Sequence, residues 1–141
     1  MLLLLLHAGT TCFLAGLVWV VQLVVYPGFV QARTGDWAAV HEAHARRMSL
    51  VVGPPWAVQG LTLAALLVRH DAPLPLLALT AALALATVVV TLTVSVPLHS
   101  RLTSYDEGLI RRLVTTNWWR TAAWTGGAVC SLALVAVSAS P

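Results

Sequence analysis

Three histidines, an asparagine and an arginine stand among long apolar runs, where polar side chains are costly. His41 and His44 lie in DWAAVHEAHARRMSLVV (36–52), His99 follows Pro97, and Asn117 and Arg120 fall in TTNWWRTAAW (115–124). At about 100° per residue, Trp37, Val40, His41, His44, Met48 and Val51 share one helix face, with Ala39, Glu42 and Arg46 opposite. Ile110, Leu113, Asn117, Arg120, Thr121, Trp124 and Ala128 share a face of a later helix, so Asn117 and Arg120 point with the core. Two chemistries suit this set. His41, His44 and His99 could bind a transition metal, since three imidazoles suit Zn, Cu or Fe with one position open. No HExxH motif accompanies them, and no carboxylate takes the inward face. Without a metal, a histidine can act as general base on an acidic C–H or phenol O–H near neutral pH. Arg120 and Asn117 would then stabilise the anion in a dry site. A third reading is structural: histidines and arginines anchor helix ends, and Asn117 bonds across helices. Ionisable groups inside a membrane are functional by default, and the convergence of four such residues with Asn117 favours function.

The chain is 59% hydrophobic and 9% charged, far below the roughly 25% charge of soluble domains. That excludes an ordinary soluble enzyme. All the positive charge is arginine and no basic run is present, which excludes a nucleic-acid arm and points to membrane charge asymmetry. Four runs reach the ~20 residues a bilayer core requires: Leu2 to Tyr26, Met48 to Val68, Leu74 to Val96 and Trp118 to Val137. Pro27-Gly28 closes the first, Arg69-His70-Asp71 the second and Pro97 the third. The apolar N-terminus lacks a basic leader and a cleavage site, so it reads as a retained first helix. Arg33, Arg46 and Arg47 flank the first connection, and Arg101, Arg111, Arg112 and Arg120 the third. The positive-inside rule makes both connections cytoplasmic and leaves both termini outside. Cys12 and Cys130 read as two buried free thiols.

Helices two and four start before the lipid. Asp36 is the expected N-cap of one, and Ser104 with Glu107 the expected capping box of the other, with Glu107 and Arg111 spaced for an ion pair. The two halves share a plan: an apolar helix closed by proline, a short loop bearing an arginine, then a capped helix running into the membrane. Small or polar stripes on helix one (Ala8, Thr11, Ala15, Gln22, Tyr26) and helix three (Thr80, Thr87, Thr91, Ser95) mark helix contacts. Gln22 and Tyr26 lie at the level of the histidines. With Trp19, Trp37 and Trp124 they would bind a flat hydrophobic substrate, and Trp56 and Trp118 add walls. Gly53-Pro54-Pro55 would kink helix two, either for packing alone or to widen a cavity below His44. His7 and His70 read as interfacial residues of the opposite side.

The stretches YPGFVQARTGDWAAVHEAHARR and VPLHSRLTSYDEGLIRRLVTTNWWRTAAW resemble the small four-helix membrane proteins of the anthrone oxygenase-like family. Tyr-Pro ends the first helix, Val-Pro followed by a polar residue and an arginine ends the third, and Asn-Trp-x-Arg opens the fourth. The resemblance implies a four-helix membrane fold and, for some members, oxidation of a reduced aromatic polyketide by O₂ without a well-established cofactor. His99 stands where that family more often carries asparagine, which favours metal binding here. The expectation is therefore one all-α domain over 1–141, an integral membrane four-helix bundle of two hairpins. Helices two and four extend on the cytoplasmic side of the cytoplasmic membrane. Its function would be oxygenase-like, on a hydrophobic small molecule in the bilayer, with a homo-oligomer open. The alternative is a small membrane binding, carrier or assembly protein using the same residues. A polar path through to the outer face would favour transport, and a one-sided pocket an enzyme.

Overall fold

In lipid a backbone must satisfy its own hydrogen bonds, so apolar runs of this length coil. The computed structural model describes residues 1–31, 35, 37–69 and 72–139. Four helices form, each long and apolar enough to cross a membrane: α1 (Leu2–Gln31), α2 (Trp37–Arg69), α3 (Leu74–Arg101) and α4 (Glu107–Ala139). The molecule is an all-α integral membrane bundle, with no strand among the described residues. The Asp36 cap, Arg33, and the His70-Asp71 turn lie outside the described residues.

Pro27 and Pro97 do not end α1 and α3, contrary to expectation. Each follows a five-residue π-helical turn, Val21–Val25 and Thr91–Ser95. Proline lacks an N–H, and its ring collides with the carbonyl four residues back. The π turn moves the bonding register by one residue. Tyr26 N–H bonds to the Val21 carbonyl and Val96 N–H to that of Thr91, and the helices run on to Gln31 and Arg101. Such turns collect at functional sites, and these two set the positions of Tyr26 and His99. α2 likewise stays helical through Pro54 and Pro55.

α4 begins two residues later than the expected capping box. Asp106, not Ser104, caps it: its carboxylate accepts the Leu109 N–H at 2.9 Å. A carboxylate also complements the positive helix end. Glu107 and Arg111 form the expected pair at 2.6 Å. Both cysteines are free.

α4 packs along α1 and α3, and α1 packs along α2, but the α2 and α3 backbones scarcely approach each other. Exact twofold symmetry between the halves would match the α1–α4 contact with an equal α3–α2 contact. The π turns obey that symmetry; the packing breaks it. One apolar cluster gathers Tyr26, Phe29, Trp37, Leu98, Leu102 and Ile110, and another at the far end gathers Leu4, Leu63, Leu66, Leu77 and Leu134. Leu61, Leu85 and Val129 are largely exposed, an apolar surface that suits contact with lipid tails. Val40 and Val51, expected on the inward face of α2, are 44% and 46% exposed. The inward stripe is narrower than periodicity implies: in this part of α2 it is Trp37, His41 and His44 that meet the neighbouring helices.

Candidate functional site

The π turns bring Tyr26 of α1 and His99 of α3 together. The Tyr26 hydroxyl lies 3.1 Å from His99 Nε2, and His99 Nδ1 lies 2.9 Å from His41 Nε2 of α2. Trp37, one turn before His41, stacks on its ring at 5.7 Å and 14° and holds it in plane, while donating its indole N–H to the Leu102 carbonyl at 3.4 Å. The chain Tyr26–His99–His41 has two tautomeric settings. In one, Tyr26 donates to His99 Nε2 and His99 Nδ1–H donates to His41. In the other, His41 Nε2–H donates to His99, and His99 Nε2–H donates to the tyrosine oxygen. Switching between them carries a proton along the row. His44 completes the histidine cluster by ring contact, edge-on to Phe29 at 4.8 Å and 6.4 Å from the His99 ring.

A second row holds Arg120. Gln22 in the α1 π turn donates to the Val114 carbonyl at 3.1 Å and accepts from Asn117 Nδ2 at 2.8 Å. Asn117 Oδ1 in turn accepts from Arg120 Nη1 at 3.1 Å. The guanidinium lies beside the Tyr26 hydroxyl, so the two rows meet there. Arg120 Nε is buried without a partner. The described carboxylates are engaged elsewhere: Glu42 faces Arg46, Glu107 faces Arg111, and Asp106 caps α4. No carboxylate among the described residues offsets the arginine.

Both rows border a cavity of about 570 Å³, lined by Tyr26, His41, His44, His99 and Arg120 at one end and by Leu14, Val18, Val52, Trp56 and Trp124 along its apolar length. That volume falls within the range of small-molecule sites. The expected site residues therefore divide. His41, His44, His99, Arg120, Tyr26 and Trp124 reach the cavity. Asn117 and Gln22 do not line it; they are fully buried and position the guanidinium. Trp37 braces His41 from behind. Trp19 and Trp118 form an edge-on pair at 5.6 Å on the outer face, with Trp19 38% exposed and bonded to Thr125. They are no part of the binding wall: their helical phase turns them to lipid. Trp56 does line the cavity, as do Gly53, Thr91 and Ser95. Ser95 was legible from the i,i+4 series Thr91–Ser95–His99, which the contact-stripe reading absorbed.

His7 departs from expectation. It is not interfacial but 1% exposed, with Nδ1 3.1 Å from the Thr62 hydroxyl and Nε2 unpartnered. It belongs to a buried polar layer in the other half of the bundle with Thr11, Gln59, Thr80 and Thr87. The void beside Thr11, Gln59, Thr80 and Thr87 is too narrow to admit a water molecule.

The three-histidine metal set does not fit this arrangement. Both His99 nitrogens are committed, one to Tyr26 and one to His41. Among the described residues no three His, Cys, Asp or Glu side chains are grouped to hold a metal ion. The side chains form a hydrogen-bonded row, with nitrogens turned to one another rather than to a common centre.

Fold and site together define an integral membrane four-helix bundle with a part-buried His–Tyr–Arg constellation at one end of an apolar cavity. Comparison with protein-family models, curated proteins and solved structures finds no match for this chain. The chemistry is accordingly argued from the geometry.

Proposed function

We propose that this protein is a membrane enzyme that binds a hydrophobic, weakly acidic aromatic molecule, removes its proton and lets the anion react with O₂. The observation that carries this is Arg120: a half-buried cation whose buried Nε is open and which has no carboxylate partner among the described residues, beside a proton-accepting row, at the end of an apolar cavity. Such a charge awaits an anion. A phenol or activated methylene placed there gives its proton to the Tyr26 oxygen as Tyr26 passes its own to His99, and the developing oxyanion faces the guanidinium. The electron-rich carbanion then adds O₂, both oxygen atoms going onto carbon, and the peroxide takes back the proton from the row as a hydroperoxide. Loss of water leaves the ketone, so that R₂CH₂ + O₂ gives R₂C=O + H₂O, with no electrons left over. The resemblance of the Tyr-Pro, Val-Pro and Asn-Trp-x-Arg stretches to anthrone oxygenase-like proteins agrees with this chemistry.

A tricyclic anthrone supplied to the purified protein in lipid nanodiscs is the test. Uptake of one O₂ per ketone formed, well above protein-free autoxidation, is expected. Uptake no faster than autoxidation would overturn the enzyme reading and leave a binding or carrier protein. A carrier would need a polar path through the buried layer around His7, and the void there admits no water, which favours the one-sided pocket of an enzyme.

We further propose, from the arginine distribution, that the site lies at the cytoplasmic side of the cytoplasmic membrane with both termini outside. An Arg46→Cys variant in intact cells should resist a membrane-impermeant maleimide and react after permeabilisation. Ready labelling from outside would invert the topology.

A further inference from the structure

The cavity is not closed on the side of α2 and α3. Ser49 and Gly53 of α2 and Val96 and Ser100 of α3 line it and are also exposed. The two backbones stand apart there, and a Cβ built on Gly53 would meet nothing within 4 Å. Large apolar side chains flank this gap: Leu50 and Leu92 are 71% and 60% exposed. A gap bordered by such residues opens into hydrocarbon, not into water. The cavity is also long. Its lining on α1 runs from Leu14 to Tyr26, a rise of about 18 Å at roughly 1.5 Å per residue, which exceeds a fused three-ring system. Its ionisable groups, Tyr26, His41, His44, His99 and Arg120, gather at one end.

We infer that the ligand arrives from the bilayer between α2 and α3 and carries an apolar tail. A phenolic aromatic head lies at Arg120 and His99, and an alkyl or isoprenyl chain occupies the Leu14–Trp56 end and the gap. The inference rests on the proposed acidic-aromatic reading and narrows it to tailed phenols or hydroquinones dissolved in the membrane. Gly53 is then the sill of the opening: a larger side chain obstructs the gap without striking the rest of the bundle.

A phenol bearing a diazirine at the end of a long alkyl chain tests this in nanodiscs, with cross-linked residues mapped by mass spectrometry. Labelling of Val52, Trp56 and Leu14 is expected. Excess unlabelled tailed phenol should abolish it, while the tail-less phenol and a fatty acid of equal chain length should compete at least ten-fold more weakly. Gly53→Leu should lower cavity labelling ten-fold or more at unchanged thermal stability, since leucine is the better helix former; Ser49→Leu is the second obstruction. Label confined to lipid-facing residues such as Leu85 and Val129, or labelling unaffected by both substitutions, would overturn lateral access. Equal competition by the tail-less phenol would overturn the tail and leave the acidic-aromatic reading standing. Equal competition by the fatty acid would overturn the phenolic head. Competition by no phenol of either kind would remove both readings.

Discussion

Replacing Arg120 by leucine is expected to lower kcat/KM for an anthrone by about 10²–10³-fold, the usual effect of deleting a group that stabilises a developing oxyanion. The same change should leave thermal stability unaltered or raise it. The wild-type guanidinium is half-buried, its Nε fully so, with only neutral partners among the described residues, Asn117 and Tyr26, and a charge drawn out of water without a counter-ion costs folding energy. Arg120→Lys should recover only part of the activity, because an ammonium lacks the planar fork that reaches Asn117 and a ligand at once. If Arg120 were only an anchor, the leucine variant would lose stability and keep its rate. Kinetics and a melting curve on the same preparations separate the two roles.

His99→Ala is expected to cost about 10²–10⁴-fold in kcat, the range for loss of a general base. Its position explains why it should exceed its neighbours. His99 alone touches both Tyr26 and His41, so its removal breaks the proton row at the middle. His41→Ala removes the terminal acceptor and should cost less. His44→Ala should cost least, since His44 meets the cluster through ring contacts with Phe29 and His99. Three metal ligands would instead fail together. The graded order His99, His41, His44, measured as kcat for the three alanine variants, is the signature of a hydrogen-bonded relay, and equal losses would contradict it.

The architecture was legible because it follows from two strong rules, span length and helical phase. The faces of α4 and the stripes of α1 and α3 were correct on that basis: Asn117, Thr121 and Trp124 are buried, as are Gln22, Tyr26, Thr80 and Thr87. Tyr26, His41, His99 and Arg120 were legible as a group because few polar residues fall on inward faces. What phase cannot encode is where a helix passes a proline instead of stopping. Pro27 and Pro97 read as terminators, yet the π turns before them carry α1 and α3 onward and rotate Tyr26 and His99 into contact. The metal reading finds no support for a related reason. Spacing brings His41, His44 and His99 near one another, but nitrogen direction decides between a shared ion and a shared proton. His7 was misread because a histidine near a helix end suits the interface equally well. Its partner Thr62 lies 55 residues away, and only the packed bundle reveals it.

The central claim is that Arg120 and the relay hold an aromatic anion. The most direct measurement is an anaerobic optical titration of the protein in nanodiscs with an alkyl nitrophenol, whose phenolate absorbs in the visible. Buffer pH is set below the solution pKa of the phenol. A saturable phenolate band in the wild type, lost in Arg120→Leu, is the result this account predicts. A phenol that stays protonated on saturation, or a band of equal strength in the leucine variant, would contradict it.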